Sequence, residues 1–128
     1  MPIRYELDDL LRRIVVTVDG PFQAEDIFAI MARQRAEHTW TYAILYDLRG
    51  MIGEPTVEEL RQLMSGAAKP REEEAPRGPV ALLATDQALY GRLCIYAALG
   101  RSTTLTIAVF CDMGKAERWL TAQSKATS

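Results

Sequence analysis

Histidine and cysteine are the scarcest chemistry in this chain, with one histidine, His38, and two cysteines, Cys94 and Cys111, among 128 residues. So small a set makes no ligand cluster of the kind a zinc or other transition-metal site needs. The cysteines stand far apart with no C-x-x-C between them. Cys94 falls in an apolar helix and Cys111 at the end of an apolar strand, so both read as small buried hydrophobes, unpaired in a reducing compartment. An excess of charge is missing too: Lys and Arg number 15 against 17 Asp and Glu, for a net charge of −2. That leaves no electrostatic footprint for nucleic acid, and the short basic groups Arg12 with Arg13 and Arg33 with Arg35 read as solvated faces. Long apolar runs are absent. Nothing approaches the roughly 20 residues of a membrane-spanning helix, and the opening residues Met1 to Glu6 hold no signal-peptide core. The expectation is a cytoplasmic protein that does not insert into membranes. A phosphate loop is also missing: Leu48-Arg49-Gly50-Met51-Ile52-Gly53 has two glycines but no Lys-Ser/Thr after them. Catalysis needs a nucleophile and a base within hydrogen-bond reach of each other. His38 is expected at the far end of a helix, away from Cys111. No catalytic residue, no metal and no cofactor is expected, and hence no enzyme.

What is present is ordinary globular composition, 48% apolar and 25% charged. A chain of this size fits one domain, residues 1–128, able to bury about two thirds of its unfolded surface. Residues 3–7 alternate apolar and polar, and residues 13–18 are β-branched, so two strands pair as an antiparallel hairpin around Asp8-Asp9. Asp19-Gly20-Pro21 is expected to end the second strand. Residues 23–38 read as a helix with an apolar stripe of Ala24, Ile27, Phe28, Met31 and Ala32, with His38 favoured near its negative end. Residues 42–48 form an apolar third strand closed by Asp47. Thr56 and Glu59 make a capping box for a helix that buries Leu60, Leu63, Met64 and Ala67. Residues 69–79, with three prolines and no periodicity, read as a surface loop. Then come a strand at 80–84, a helix at 87–99 stopped by Gly100, a strand at 105–111, and a helix capped by Asp112 with Met113, Ala116, Trp119 and Leu120 inward. The tail from about 123 is polar and expected to fray.

The order is therefore ββαβαβαβα: an α/β fold with a mixed, mainly parallel five-stranded sheet and four helices. Certain junctions carry a resemblance. They are Asp19-Gly20-Pro21-Phe22-Gln23-Ala24-Glu25-Asp26, Leu45-Tyr46-Asp47-Leu48-Arg49-Gly50, and Val109-Phe110-Cys111-Asp112 leading to Ala116-Glu117-Arg118-Trp119-Leu120. Together they resemble the bacterial SpoIIAA-like family, small stand-alone relatives of STAS domains, from Tyr5 to Leu120. The resemblance implies a non-enzymatic switch that works by protein contact. Sporulation-type relatives carry a phosphorylated serine in the turn after the third strand. Here that turn has no hydroxyl before Thr56, which the capping box already explains, so Thr56 is the one phosphorylation candidate.

Two regions are candidate binding surfaces. Strand ends bring Asp47, Arg49, Thr85, Asp86 and Asp112 to one edge of the sheet, the usual crevice of an open α/β fold, although helix caps account for Thr85, Asp86 and Asp112 equally well. The 87–99 helix, with Tyr90, Leu93 and Tyr96, has almost no polar face, so a second side of it must meet a loop, a ligand or another subunit. The expected function is an interaction module with a protein partner or a second copy of itself as a homodimer. The alternative is a small apolar or acyl ligand held beneath that helix.

Overall fold

The computed structural model describes residues 3–68, 77–103 and 105–126, with residues 68 and 124–126 in backbone only. The expected element order is found: β1 Ile3–Asp8, β2 Arg13–Pro21, α1 Ala24–Ala36, β3 Ala43–Ile52, α2 Val57–Ala68, β4 Val80–Leu83, α3 Gln87–Gly100, β5 Ile107–Phe110 and α4 Met113–Ala126. The five strands lie in the order β1-β2-β3-β4-β5. β1 is antiparallel to β2, and every later pair is parallel. Each parallel strand is added beside its predecessor in one direction. Crossovers of the single favoured hand then put all the connecting helices on one face. α1, α2 and α3 accordingly cover a front face built on Ile14, Val16, Val18, Ile44, Tyr46, Leu48, Val80 and Leu82. α4 follows the last strand and folds onto the back, where Ala116 and Leu120 pack on Ala43, Leu45, Ala81 and Leu83. The period-2 alternation of β2 and β3 thus feeds two cores, and strands buried on both sides carry almost no polar residue.

Several boundaries differ from expectation for physical reasons. Asp19-Gly20-Pro21 does not end β2. A bulge between Thr17 and Asp19 shifts the register, and Asp19, Gly20 and Pro21 pair with Gly50, Met51 and Ile52. β3 therefore runs past Asp47 to Ile52, and Gly50 leaves room there for the Asp19 carboxylate, which a Cβ would displace. In α1 the buried stripe is turned from the expected one: Ile30, Met31 and Gln34 are buried, while Phe28 and Ala32 are exposed. α1 also stops earlier, with His38 in the left-handed region at φ 59°. Its amide donates to Arg35 O at 3.2 Å, and the Thr39 amide donates to Gln34 O at 2.8 Å. Those two bonds are a Schellman ending, so His38 serves the helix end through its backbone. α4 continues through residue 126 rather than fraying at 123.

Both cysteines are exposed and free, not buried. Cys94 lies on the outer side of α3, and Cys111 stands just past the end of the edge strand β5. The expected 69–79 loop falls mostly at residues 69–76, outside the described residues. Its last part is no surface loop, since Arg77 and Gly78 are buried. The Gly78 amide donates to Trp40 O at 3.0 Å, tying the entry of β4 to the approach of β3.

Candidate functional site

The carboxyl edge of the sheet carries the acids expected there. Asp47 is level with Leu83, and Leu83 with Phe110. Arg49, Thr85 and Asp112 each lie two residues beyond that row, so the register brings these strand ends to one edge. Asp47 and Arg49 are joined in a two-pronged ion pair, Arg49 Nη2 to Asp47 Oδ2 at 2.8 Å and Arg49 Nε to Oδ1 at 2.9 Å. The Arg49 amide adds a third donor to Oδ1 at 3.2 Å. The guanidinium's hydrogen bonds are the largest cause that holds the Asp47 carboxyl below its ordinary range, with burial opposing and Arg4 assisting. Asp86 accepts from the Leu89 amide at 2.9 Å and Asp112 from the Lys115 amide at 3.0 Å, as N-caps of α3 and α4. The Thr56–Glu59 capping box forms in both directions, at 2.9 and 3.1 Å. Thr85 is exposed.

The α3 residues are not brought to these acids. Asp47 shares its side of β3 with Ala43 and Leu45, the back face, whereas Leu93 and Tyr96 belong to the front core. α3 itself has two faces of different use. Leu89, Leu93, Tyr96 and Gly100 are buried, and Tyr90 is half-buried. Ala88, Gly91, Cys94, Ile95 and Ala98 are exposed, an outward face of small and apolar residues in which Gln87 is the exposed polar side chain and the half-buried Arg92 stands at the edge.

Beneath α2 and α3, against the front of the sheet, lies a partly open apolar cavity of about 60 Å³. Leu63, Leu93, Val80, Leu82 and Ile107 supply much of its carbon lining, and Tyr46, Tyr96 and Arg77 its polar atoms. Arg77 is 9% exposed and its Cζ lies 4.1 Å from the centroid of the buried Trp40 ring, which Arg35 also contacts at 3.8 Å. Burial pushes the Tyr46 phenol above its usual pKa, against the pull of the Arg77 charge and of a loose hydrogen-bonding contact with Arg77. Burial raises Tyr96 likewise. Neither Tyr46 Oη nor Arg77 Nη1 completes a hydrogen bond, although both are fully shielded from solvent.

Sequence reasoning anticipated a space beneath this helix but neither Arg77 nor Tyr46. Arg77 stands among prolines, where a solvated residue is the ordinary reading, and Tyr46 looks like one more apolar strand position. The only available signal was positional: Arg77-Gly78-Pro79 abuts an apolar strand. Among the described residues no three His, Cys, Asp or Glu side chains gather closely enough for a metal ion. No helix among them is long and apolar enough to cross a membrane.

The same fold is found in the crystal structure of an anti-sigma factor antagonist from Mycobacterium paratuberculosis. The two match with a TM-score of 0.54 and 18% sequence identity, over 93% of this chain and 94% of that one. The likeness establishes the fold, which is the one the SpoIIAA-like resemblance implies. No protein-family model matches the sequence, and no curated protein does either.

Proposed function

We propose that this protein is a non-enzymatic regulatory module that acts by protein–protein contact, with the outward face of α3 as its contact surface. The observation that carries the reading is the exposed, uncharged surface of Ala88, Gly91, Cys94, Ile95 and Ala98 on a helix whose opposite side is already buried. Exposed helix faces are normally polar; an apolar one has a use for water exclusion. Small residues there let a second helix approach closely, toward the short end of the about 8–10 Å spacing of packed helices. The shared fold with an anti-sigma factor antagonist, over nearly the full length of both chains, supports a regulatory role. The simplest partner is a second copy.

Ile95→Glu tests this. Leu93 is unsuitable, because at 5% exposure it belongs to the core and an acid there would break the fold. Native mass spectrometry should show the wild-type chain at doubled mass and Ile95→Glu at single mass, with an unchanged circular dichroism spectrum. A dimer that survives Ile95→Glu moves the seam away from α3, and a wild-type monomer removes self-association.

The cavity favours a second reading, small-ligand binding beneath α3. Its lining is nearly all carbon with a few convergent polar groups, the general form of a ligand pocket.

A further inference from the structure

Taking the ligand-binding reading as its basis, we propose that the cavity under α2 and α3 takes a small monocarboxylic acid, its carboxylate on Arg77 and Tyr46 and its carbon end among Leu63, Leu93 and Leu82. A guanidinium keeps its charge at any physiological pH, so Arg77 is a permanent cation in a mostly apolar interior. A buried ion without a counter-charge is costly, and proteins ordinarily pair it. Among the described residues no carboxylate lies within ion-pair distance of Arg77. Contact with Trp40 stabilises one part of the guanidinium but leaves the buried Nη1 without a full hydrogen bond, the Tyr46 hydroxyl being only in loose contact with Arg77. The Tyr46 hydroxyl is a second unused donor, in a side chain 5% exposed.

A carboxylate answers both groups at once. It accepts from a guanidinium in the strong charge-assisted geometry and retains a lone pair for a phenol. Because burial raises the Tyr46 pKa, the phenol keeps its proton at neutral pH and acts as donor. A cationic headgroup would meet Arg77 with like charge, and a neutral one would leave the charge uncompensated. The rest of the lining offers no polar specificity, so the remainder of the ligand is hydrocarbon. At about 60 Å³ the space is well below the about 150 Å³ of a cavity that binds benzene. It excludes a ring of benzene's size and suits a short unbranched chain whose far end reaches the open mouth, and not a full-length lipid.

The test is calorimetric titration of the full chain, after exhaustive dialysis, with hexanoate, hexanol and hexylamine. Hexanoate should bind at one per chain, hexanol at least about ten-fold more weakly, since a charge-assisted hydrogen bond is at stake, and hexylamine not at all. Arg77→Met should lower hexanoate affinity by about ten-fold or more while leaving hexanol unchanged. Tyr46→Phe keeps the core shape and should weaken hexanoate several-fold; it decides the matter if Arg77→Met fails to fold. Hexanol binding as tightly as hexanoate overturns the carboxylate assignment and leaves the ligand-binding reading standing. Binding of none of the three at millimolar concentration overturns both. Methyl NMR places the ligand: hexanoate must shift Leu63 and Leu93, and shifts confined to surface residues overturn the cavity assignment.

Discussion

Gly78→Ala and Gly91→Ala are one chemical change with opposite expected signs. At Gly78 an added Cβ would lie 2.6 Å from the Tyr42 carbonyl carbon and closer still to the carbonyl oxygens of Thr41 and Tyr42. These are backbone atoms leading into β3, and they cannot rotate away as a side chain can. They are held against the new methyl by the Gly78-to-Trp40 bond at 3.0 Å and the Ile44-to-Pro79 bond at 2.9 Å. Relief requires the entry of β4 to move off β3, carrying Arg77 off Trp40. Overpacking of this kind costs about 1–3 kcal/mol, and a backbone obstacle puts the cost at about 3. At Gly91 nothing lies within 4 Å of the added Cβ, in the middle of α3. Alanine there regains about 0.8–1.0 kcal/mol of helix propensity. Urea denaturation of the three proteins, at dilution low enough to keep the chain monomeric, should therefore spread them over about 4 kcal/mol, with Gly91→Ala melting about 4 °C above wild type. Gly78→Ala within about 0.5 kcal/mol of wild type, the scatter of surface changes, would refute the close approach. At concentrations where the wild-type chain pairs through α3, the added methyl should instead weaken the dimer, and a gain that persists there would place the seam elsewhere.

Two further changes probe single features. His38→Gly should gain about 1 kcal/mol, because only glycine takes the left-handed region at φ 59° without Cβ strain; a thermal melt no higher than wild type would show that the side chain is held by something of use. Asp47→Asn should lose about 1 kcal/mol at pH 7, a modest figure because Arg49 is half exposed. The folded Asp47 pKa is depressed, so its stabilisation is fully present above the ordinary value of 3.8 and is lost as pH falls through the lower folded value. Denaturation at pH 7 and near pH 3 should show the gap between variant and wild type closing in acid, and a constant gap would sink the ion-pair account.

The architecture was legible because it rests on local signals that agree with one another. The capping box at Thr56 and Glu59, the Asp86 and Asp112 caps and the apolar faces of α2 and α4 all fall where periodicity and capping rules put them. Failures occurred where a contact distant in sequence decides the outcome. Asp19-Gly20-Pro21 carries turn chemistry, yet it becomes strand because a bulge between Thr17 and Asp19 brings it into register with Gly50, Met51 and Ile52. The α1 stripe could be drawn through Phe28 as well as through Ile30. Which face turns inward is set by the sheet, and a helix read alone does not contain that information. The cysteines looked buried because their neighbours are apolar, but an edge strand end and an outward helix face are apolar places that water reaches.

Arg77 was illegible for a different reason. Every local rule assigns a charged residue beside prolines to solvent, and a sequence built only for stability would put it there. The fold instead holds it beneath α3, against Trp40 and beside Tyr46, with a donor unused. Conflict between local chemistry and final position is expected at sites kept for use, where stability is given up for a prepared contact. That argument yields its own check on the site. If Arg77 is there for structure, Arg77→Met should destabilise the protein through lost contact with the indole. If it awaits an anion, the same change removes a buried charge that has no carboxylate partner among the described residues, and the ligand-free protein should become more stable as it loses hexanoate.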